Sequence, residues 1–155
     1  MSHSVSVSSL VTATDADGLY VAGGHGACED LYDDDDAREL VEEMSNAGKI
    51  IAADCHGQVV FTQCVQPDGI PFVQGKRVTG FSNLEEEQVG MDQIIPFSLE
   101  DRFVDQGGHY SCGDPWTSHV EVDGNLITGQ NPQSSYELSC VLVNKILRKE
   151  LTSWS

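Results

Sequence analysis

Basic residues are scarce in this 155-residue chain, where 8 Lys and Arg stand against 25 Asp and Glu for a formal net charge of −17. Sequence-independent binding to nucleic acid, or to an anionic membrane surface, rests on clusters of Lys and Arg, so the balance argues against both. Long apolar runs are missing as well. Ile50 to Ala53 and Val59 to Phe61 fall far short of the roughly 20 residues a membrane-spanning helix needs. The amino terminus, Met1 to Ser6, has neither the basic start nor the unbroken apolar stretch of a secretory signal, which gives an intracellular, cytoplasmic reading. The five cysteines (Cys28, Cys55, Cys64, Cys112, Cys140) are odd in number and contain no Cys-x-x-Cys pair, so neither a disulfide framework nor a thiolate zinc site is indicated. A small neutral or anionic metabolite is compatible with this balance, and the length fits one domain with a core of its own.

What is present reads as alternating strands and helices. The first residues, 1–14, are Ser/Val/Thr-rich without a period and are assigned as a connector to an α/β core over 15–151. Gly18 to Ala22 is a β-prone run that stops at the glycine turn Gly23-Gly24-His25-Gly26. Asp33 to Asp36 offer N-caps and negative charge for a helix carrying Leu40, Val41 and Met44 on one face and ending at Gly48. Lys49 to Ala53 is continuously apolar after its first residue, as in a strand covered on both faces of a parallel sheet. Strand, turn, helix and strand make a βαβ unit. A second helix is expected from the Cys55-His56-Gly57 corner through Phe61, a strand over Arg77 to Phe81, and a capped helix from Ser98 toward Gln106. Val120 to Thr128 alternates around Asp123-Gly124 as a hairpin, and Ser134 to Leu151 repeats Leu138, Val141, Leu142 and Ile146 at helical spacing.

The segment Lys49 to Phe61 carries the chemistry. A buried strand that ends at Ala53-Asp54-Cys55-His56-Gly57 and turns into a helix has the layout of a nucleophile elbow. There the Cys55 sulfur sits at a helix N-terminus, where amides and dipole favour the thiolate, and a lowered thiol pKa is expected. One carboxylate of Glu85-Glu86-Glu87 is placed to orient His56, and the turn Gly23 to Gly26 is placed to aim backbone N–H groups at a developing oxyanion. The bland alternatives are a core cysteine, a solvated glutamate triplet and a solvated Asp33 to Asp36 face, which lacks EF-hand spacing. His109, Cys112 and His119 match no common zinc spacing. Cys28, Cys64 and Cys140 read as packing residues.

Four segments together resemble one family: Tyr20-Val21-Ala22-Gly23-Gly24-His25-Gly26, Ala53-Asp54-Cys55-His56-Gly57, Gly75 through Gly80-Phe81-Ser82-Asn83-Leu84-Glu85-Glu86, and Leu126 through Gln130-Asn131-Pro132-Gln133-Ser134-Ser135. Their order is that of the DJ-1/PfpI superfamily, in the branch of heat-shock protein 31-like glyoxalases with the class I glutamine amidotransferase-like fold. The resemblance spans about residues 15–148. It implies a single DJ-1/PfpI-like domain over 1–155, with a flavodoxin-like three-layer α/β/α sandwich and a mostly parallel sheet. It also implies Cys55 as nucleophile, His56 as acid/base group, Glu86 as its orienting carboxylate, and Gly23, Gly24, His25 and Gly26 as the oxyanion and substrate-binding loop. The implied activity is conversion of methylglyoxal to lactate without glutathione, with no cofactor and no metal, on a small 2-oxoaldehyde; a homodimer is compatible. The chain departs from the family in lacking its amino-terminal strand, helix and strand, and with them a glutamate that hydrogen-bonds the nucleophile, so an amino-terminally truncated sandwich is expected. That departure supports the alternative of a non-catalytic stress-response or chaperone-like protein. Ala22 and Gln58 stand where relatives often carry proline.

Overall fold

The computed structural model describes residues 12, 14–91 and 95–152, with side chains as far as residue 148. The connector expected over 1–14 lies almost wholly outside the described residues.

The elements run β1 (Gly18–Val21), α1 (Ala27–Asp30), α2 (Asp35–Asn46), β2 (Ile50–Asp54), a 3-10 helix (Cys55–Thr62), β3 (Arg77–Val78), α3 (Asn83–Val89), α4 (Leu99–Asp105), β4 (His109–Tyr110), β5 (Val120–Asp123), β6 (Leu126–Gly129), a short 3-10 turn (Pro132–Ser134) and α5 (Ser135–Thr152). A four-stranded sheet has the order β1-β2-β6-β5. Its first three strands are parallel, and β5 pairs antiparallel with β6 as the expected hairpin.

β2 is buried at every residue and divides the core by its period of two. Ile51 and Ala53 face a cluster with Leu40, Val41 and Met44 of α2, Phe61, Phe72 and Phe103. Ile50 and Ala52 face Ile127 and Leu138, with Val141, Leu142 and Ile146 of α5 packed alongside. A mostly parallel sheet with helices on both faces is the three-layer α/β/α arrangement the sequence implied. The caps were also legible: the Asp34 carboxylate accepts from the Ala37 N–H at 2.9 Å, and the Ser98 hydroxyl accepts from the Asp101 N–H at 2.9 Å.

Three expectations are corrected. The strand expected over Arg77 to Phe81 is only Arg77–Val78, and it pairs with β4 in a separate two-stranded ladder. Beyond it the Thr79 N–H donates to the Thr128 side-chain hydroxyl at 3.0 Å, which takes that donor away from any ladder. The helix after Cys55 is of the 3-10 type and buried throughout. Cys140 is exposed, not packed, while Cys64 is buried and Cys28 partly so. The reason is helical phase: with Leu138, Val141 and Ile146 turned to the sheet, position 140 points outward. Among the described residues no helix is long and apolar enough to cross a membrane.

Candidate functional site

β2 ends at Asp54, and the next residue, Cys55, takes φ of 49° as the first residue of the 3-10 helix. A left-handed conformation at a non-glycine residue stores about 1–3 kcal/mol and persists only where the surroundings impose it. Two glycines show how tightly they do. A Cβ on Gly57 would lie 2.5 Å from the Val21 carbonyl oxygen, and one on Gly23 would lie 2.7 Å from both the Asp54 carbonyl oxygen and the Cys55 Cβ. The ends of β1 and β2 therefore close on each other with no room for side chains. Cys55 is held at the carboxyl edge of the parallel strands, where open α/β sheets bind ligands.

Adjacent residues rarely converge, yet the turn brings Cys55 Sγ to 3.2 Å from His56 Nδ1. The other ring nitrogen, Nε2, donates to Glu86 Oε1. With the Nε2 proton engaged there, Nδ1 is left as the acceptor facing the thiol. Glu86 Oε2 accepts a second bond, from His25 Nε2 at 3.1 Å, so one carboxylate bridges two imidazoles. Burial pushes the Glu86 carboxyl up, but the hydrogen bonds and charges of His56 and then His25 outweigh it and hold Glu86 below the usual carboxylate range. The Phe81 ring lies 4.6 Å from that of His56 and 5.7 Å from that of Trp116, forming an aromatic wall. Phe81 and Trp116, together with Tyr20, Gly24, His25 and Cys55, line a cavity of about 440 Å³.

The lowered thiol pKa expected for Cys55 is overturned. Burial is the largest influence and pushes the thiol up to about 12. The His56 and Gly24 backbone N–H groups favour the thiolate, but the Asp54 and Glu85 charges oppose it. The resting Cys55 side chain is thus held as a neutral thiol beside the His56 ring, not as a preformed thiolate. Alkylation of Cys55 by iodoacetamide is accordingly expected to accelerate continuously from pH 7 to 10, trailing exposed Cys140 at neutral pH; mass-spectrometric labelling rates check this, and a plateau for Cys55 near pH 7 would contradict it.

The glycine loop divides its amides. The Gly23 N–H donates to Asp54 Oδ1 at 2.9 Å and is already engaged, while the Gly24 N–H joins that of His56 in favouring negative charge at the sulfur. Gly23 therefore anchors the loop to Asp54, with its N–H already committed. Asp54 Oδ2 accepts from the Tyr20 hydroxyl at 2.8 Å and from the Ser135 hydroxyl. The Tyr20 phenol, pushed up to about 12 by burial and then by Asp54, stays protonated. With their protons directed at Asp54, both hydroxyls present lone pairs to the cavity.

The glutamate triplet resolves by helical phase. Glu86 faces His56, Glu87 is exposed, and Glu85 is buried on a different side of α3. Glu85 Oε1 accepts from the Trp116 N–H at 3.0 Å and Asn131 Nδ2 at 2.8 Å; Oε2 accepts from Gln130 Nε2 at 3.1 Å and from Ser82. Trp116 itself sits at φ of 61°, so Glu85 fixes a strained residue of the cavity wall. Sequence reasoning assigned no role to Asp54, Tyr20, Ser135 or Trp116, and considered Glu85 only as one of three carboxylates that could orient His56. Asp54 and Ser135 lay inside the motifs, and their adjacency to Cys55 and to the Asn131-Pro132 turn was the available signal. Trp116 had none. His109, Cys112 and His119 form no metal-ligating group among the described residues.

The DJ-1/PfpI family pattern matches residues 2–145. The glutathione-independent glyoxalase HSP31 of Saccharomyces cerevisiae is 31% identical over 132 residues, which cover 81% of this chain and 56% of that protein. The crystal structure of glyoxalase III from Candida albicans superposes with a TM-score of 0.82 at 26% identity, covering 88% of this chain and 60% of that one. The 24-kDa rapid encystment protein of Francisella tularensis gives a TM-score of 0.86 at 34% identity, covering 90% and 62%. The chain spans somewhat over half the length of these relatives. A strained cysteine elbow at a parallel-strand edge, the match over nearly the whole chain and these likenesses agree: the chain belongs to the DJ-1/PfpI family, in its HSP31- and glyoxalase III-like branch.

Proposed function

We propose that this chain is a cytoplasmic, glutathione-independent glyoxalase-type enzyme that converts methylglyoxal to lactate through Cys55. The observation that carries the reading is the linear relay Cys55 Sγ, His56 imidazole, Glu86 carboxylate, built at a strained turn that opens on the cavity. Its chemistry follows from the protonation states. The thiol proton passes to His56 Nδ1 as the sulfur attacks the aldehyde carbon, and Glu86 stabilises the imidazolium that results. The developing alkoxide is met by the Gly24 and His56 N–H groups. The resulting thiohemiacetal carries a hydrogen on its former aldehyde carbon. Moving that proton to the neighbouring carbon through an enediol converts the adduct to a thioester of the 2-hydroxy acid. Water then releases lactate and restores the thiol, so the sum is methylglyoxal plus one water to lactate, with no external oxidant or reductant.

A buried neutral thiol suits this sequence, because the base is needed only when the electrophile is bound. The test is lactate formation from methylglyoxal without glutathione, comparing the chain with its Cys55→Ala variant. Lactate that falls to background in Cys55→Ala is expected. No lactate from a cooperatively folded wild-type sample would establish the non-catalytic, stress- or chaperone-like reading instead.

A further inference from the structure

We propose that His25, His56 and Glu86 form a binding site for a divalent d-block cation of the zinc class, and that its occupancy blocks the Cys55 relay. The inference rests on the catalytic reading only for the blockade; the site stands on its own geometry. The three ligand atoms all lie within 4.8 Å of one another. Two imidazole nitrogens and a carboxylate are a donor set that zinc takes in open, three-ligand sites, where bonds of about 2.0–2.1 Å space ligand atoms roughly 3.3 Å apart. The separation of His25 Nε2 from Glu86 Oε2 is 3.1 Å, so this edge of the tetrahedron is nearly formed before any ion arrives.

Burial and charge support it. The Glu86 side chain is 3% exposed, so its oxygens are shielded from competing water. The His25 side chain is 34% exposed and borders the cavity, giving an ion a route to the site and leaving the fourth position toward the opening. A net charge of −17 raises the cation concentration around the whole chain.

The blockade follows from the imidazole tautomer. In the relay, His56 carries its proton on Nε2 and accepts the thiol proton at Nδ1. A cation on Nε2 displaces that proton, and the neutral ring then holds it on Nδ1, 3.2 Å from the sulfur, as a donor. Metal-bound histidines ordinarily donate their other ring N–H in this way. His56 then cannot take the thiol proton, and Glu86 is drawn from its orienting bond to the ion. Cys55 lies on the opposite edge of the ring and is not a ligand.

Zinc chloride titrated calorimetrically into the intact chain, with exposed Cys112 and Cys140 changed to serine to remove competing thiols, tests this. One ion per chain is expected, with affinity lowered about 10-fold or more in His25→Asn and in Glu86→Gln and retained in Cys55→Ala. The electronic spectrum of the cobalt-loaded, otherwise unsubstituted site is expected to show nitrogen and oxygen ligation without a thiolate charge-transfer band; this readout is independent of whether any ligand variant folds. Absence of stoichiometric binding, unchanged affinity in both ligand variants, loss in Cys55→Ala, or a thiolate band would each overturn the site. Zinc at saturation is expected to suppress lactate formation reversibly with a chelator, and undiminished turnover with the ion bound would overturn the blockade. A chain that binds zinc at these residues yet makes no lactate with or without it refutes the glyoxalase reading and leaves the site standing.

Discussion

Glu86→Gln is expected to lower the rate of lactate formation roughly 10²–10⁴-fold, the usual worth of a positioned acid/base group, while the fold is kept. The substitution conserves volume in a position that is buried, and one oxygen is still available to accept from an imidazole. The damage is to the tautomer. A carboxylate presents acceptors to both His56 and His25, whereas an amide presents one acceptor and one donor. Where the new NH₂ faces His56, the ring must accept at Nε2 and therefore carries its proton on Nδ1, pointing at the Cys55 sulfur. The base is lost without any movement of the nucleophile. Nitrogen NMR of the His56 ring is the readout that separates this from a structural defect: a proton transferred from Nε2 to Nδ1, with a thermal midpoint close to wild type, is the expected pair of results. Wild-type turnover in the Gln variant would remove Glu86 from the mechanism.

Glu85→Ala is expected to act on stability, lowering it by about 3–5 kcal/mol. For a chain of this size that is a fall of about 10–20 °C in the thermal midpoint. Removing the carboxylate leaves the Trp116 N–H and the side-chain amides of Gln130 and Asn131 without their acceptor, and it cuts the capping box in which Ser82 and Glu85 close the start of α3. Burial pushes the Glu85 carboxyl up, but the donors from Trp116, Asn131, Ser82 and Gln130 outweigh it and hold it below its ordinary value of 4.5. A depressed carboxylate contributes stability that is fully present above the unfolded value and is lost as pH falls through the folded one. Wild-type stability is thus expected to decline from about pH 4.5 downward, and denaturant melts of Glu85→Gln are expected to show a shallower decline in that window. A Glu85→Ala midpoint within a few degrees of wild type would mean that water replaces the carboxylate at little cost.

Both predictions depend on a distinction within Glu85-Glu86-Glu87 that only partly follows from the residues. Family spacing placed the orienting role on Glu86, and helix period makes neighbours diverge by about 100°. That Glu85 is buried among donors from two separate loops, instead of facing water, depends on where residues 116, 130 and 131 arrive in space. No local pattern encodes that meeting.

The sequence by itself determined the local features: the turn at Gly23-Gly24, the Asp34 and Ser98 caps, the continuous burial of Ile50 to Ala53, the Asp123-Gly124 hairpin and the apolar face of α5. Each of these is set by neighbours a few residues away, through period, turn chemistry or capping. The identity of Cys55, His56 and Glu86 as a group was legible too, because motif order carries it. Tertiary structure alone decided the state of the Cys55 thiol, since its burial and the charge of Glu85 come from segments distant in sequence and, with the neighbouring Asp54, outweigh the local amide donors that suggested a thiolate. It likewise decided that the Gly23 N–H serves Asp54, that Arg77–Val78 leaves the main sheet, and that His25 completes a bridge through Glu86. Electrostatic and hydrogen-bond competition is settled by distance in space, which a short stretch of sequence does not specify.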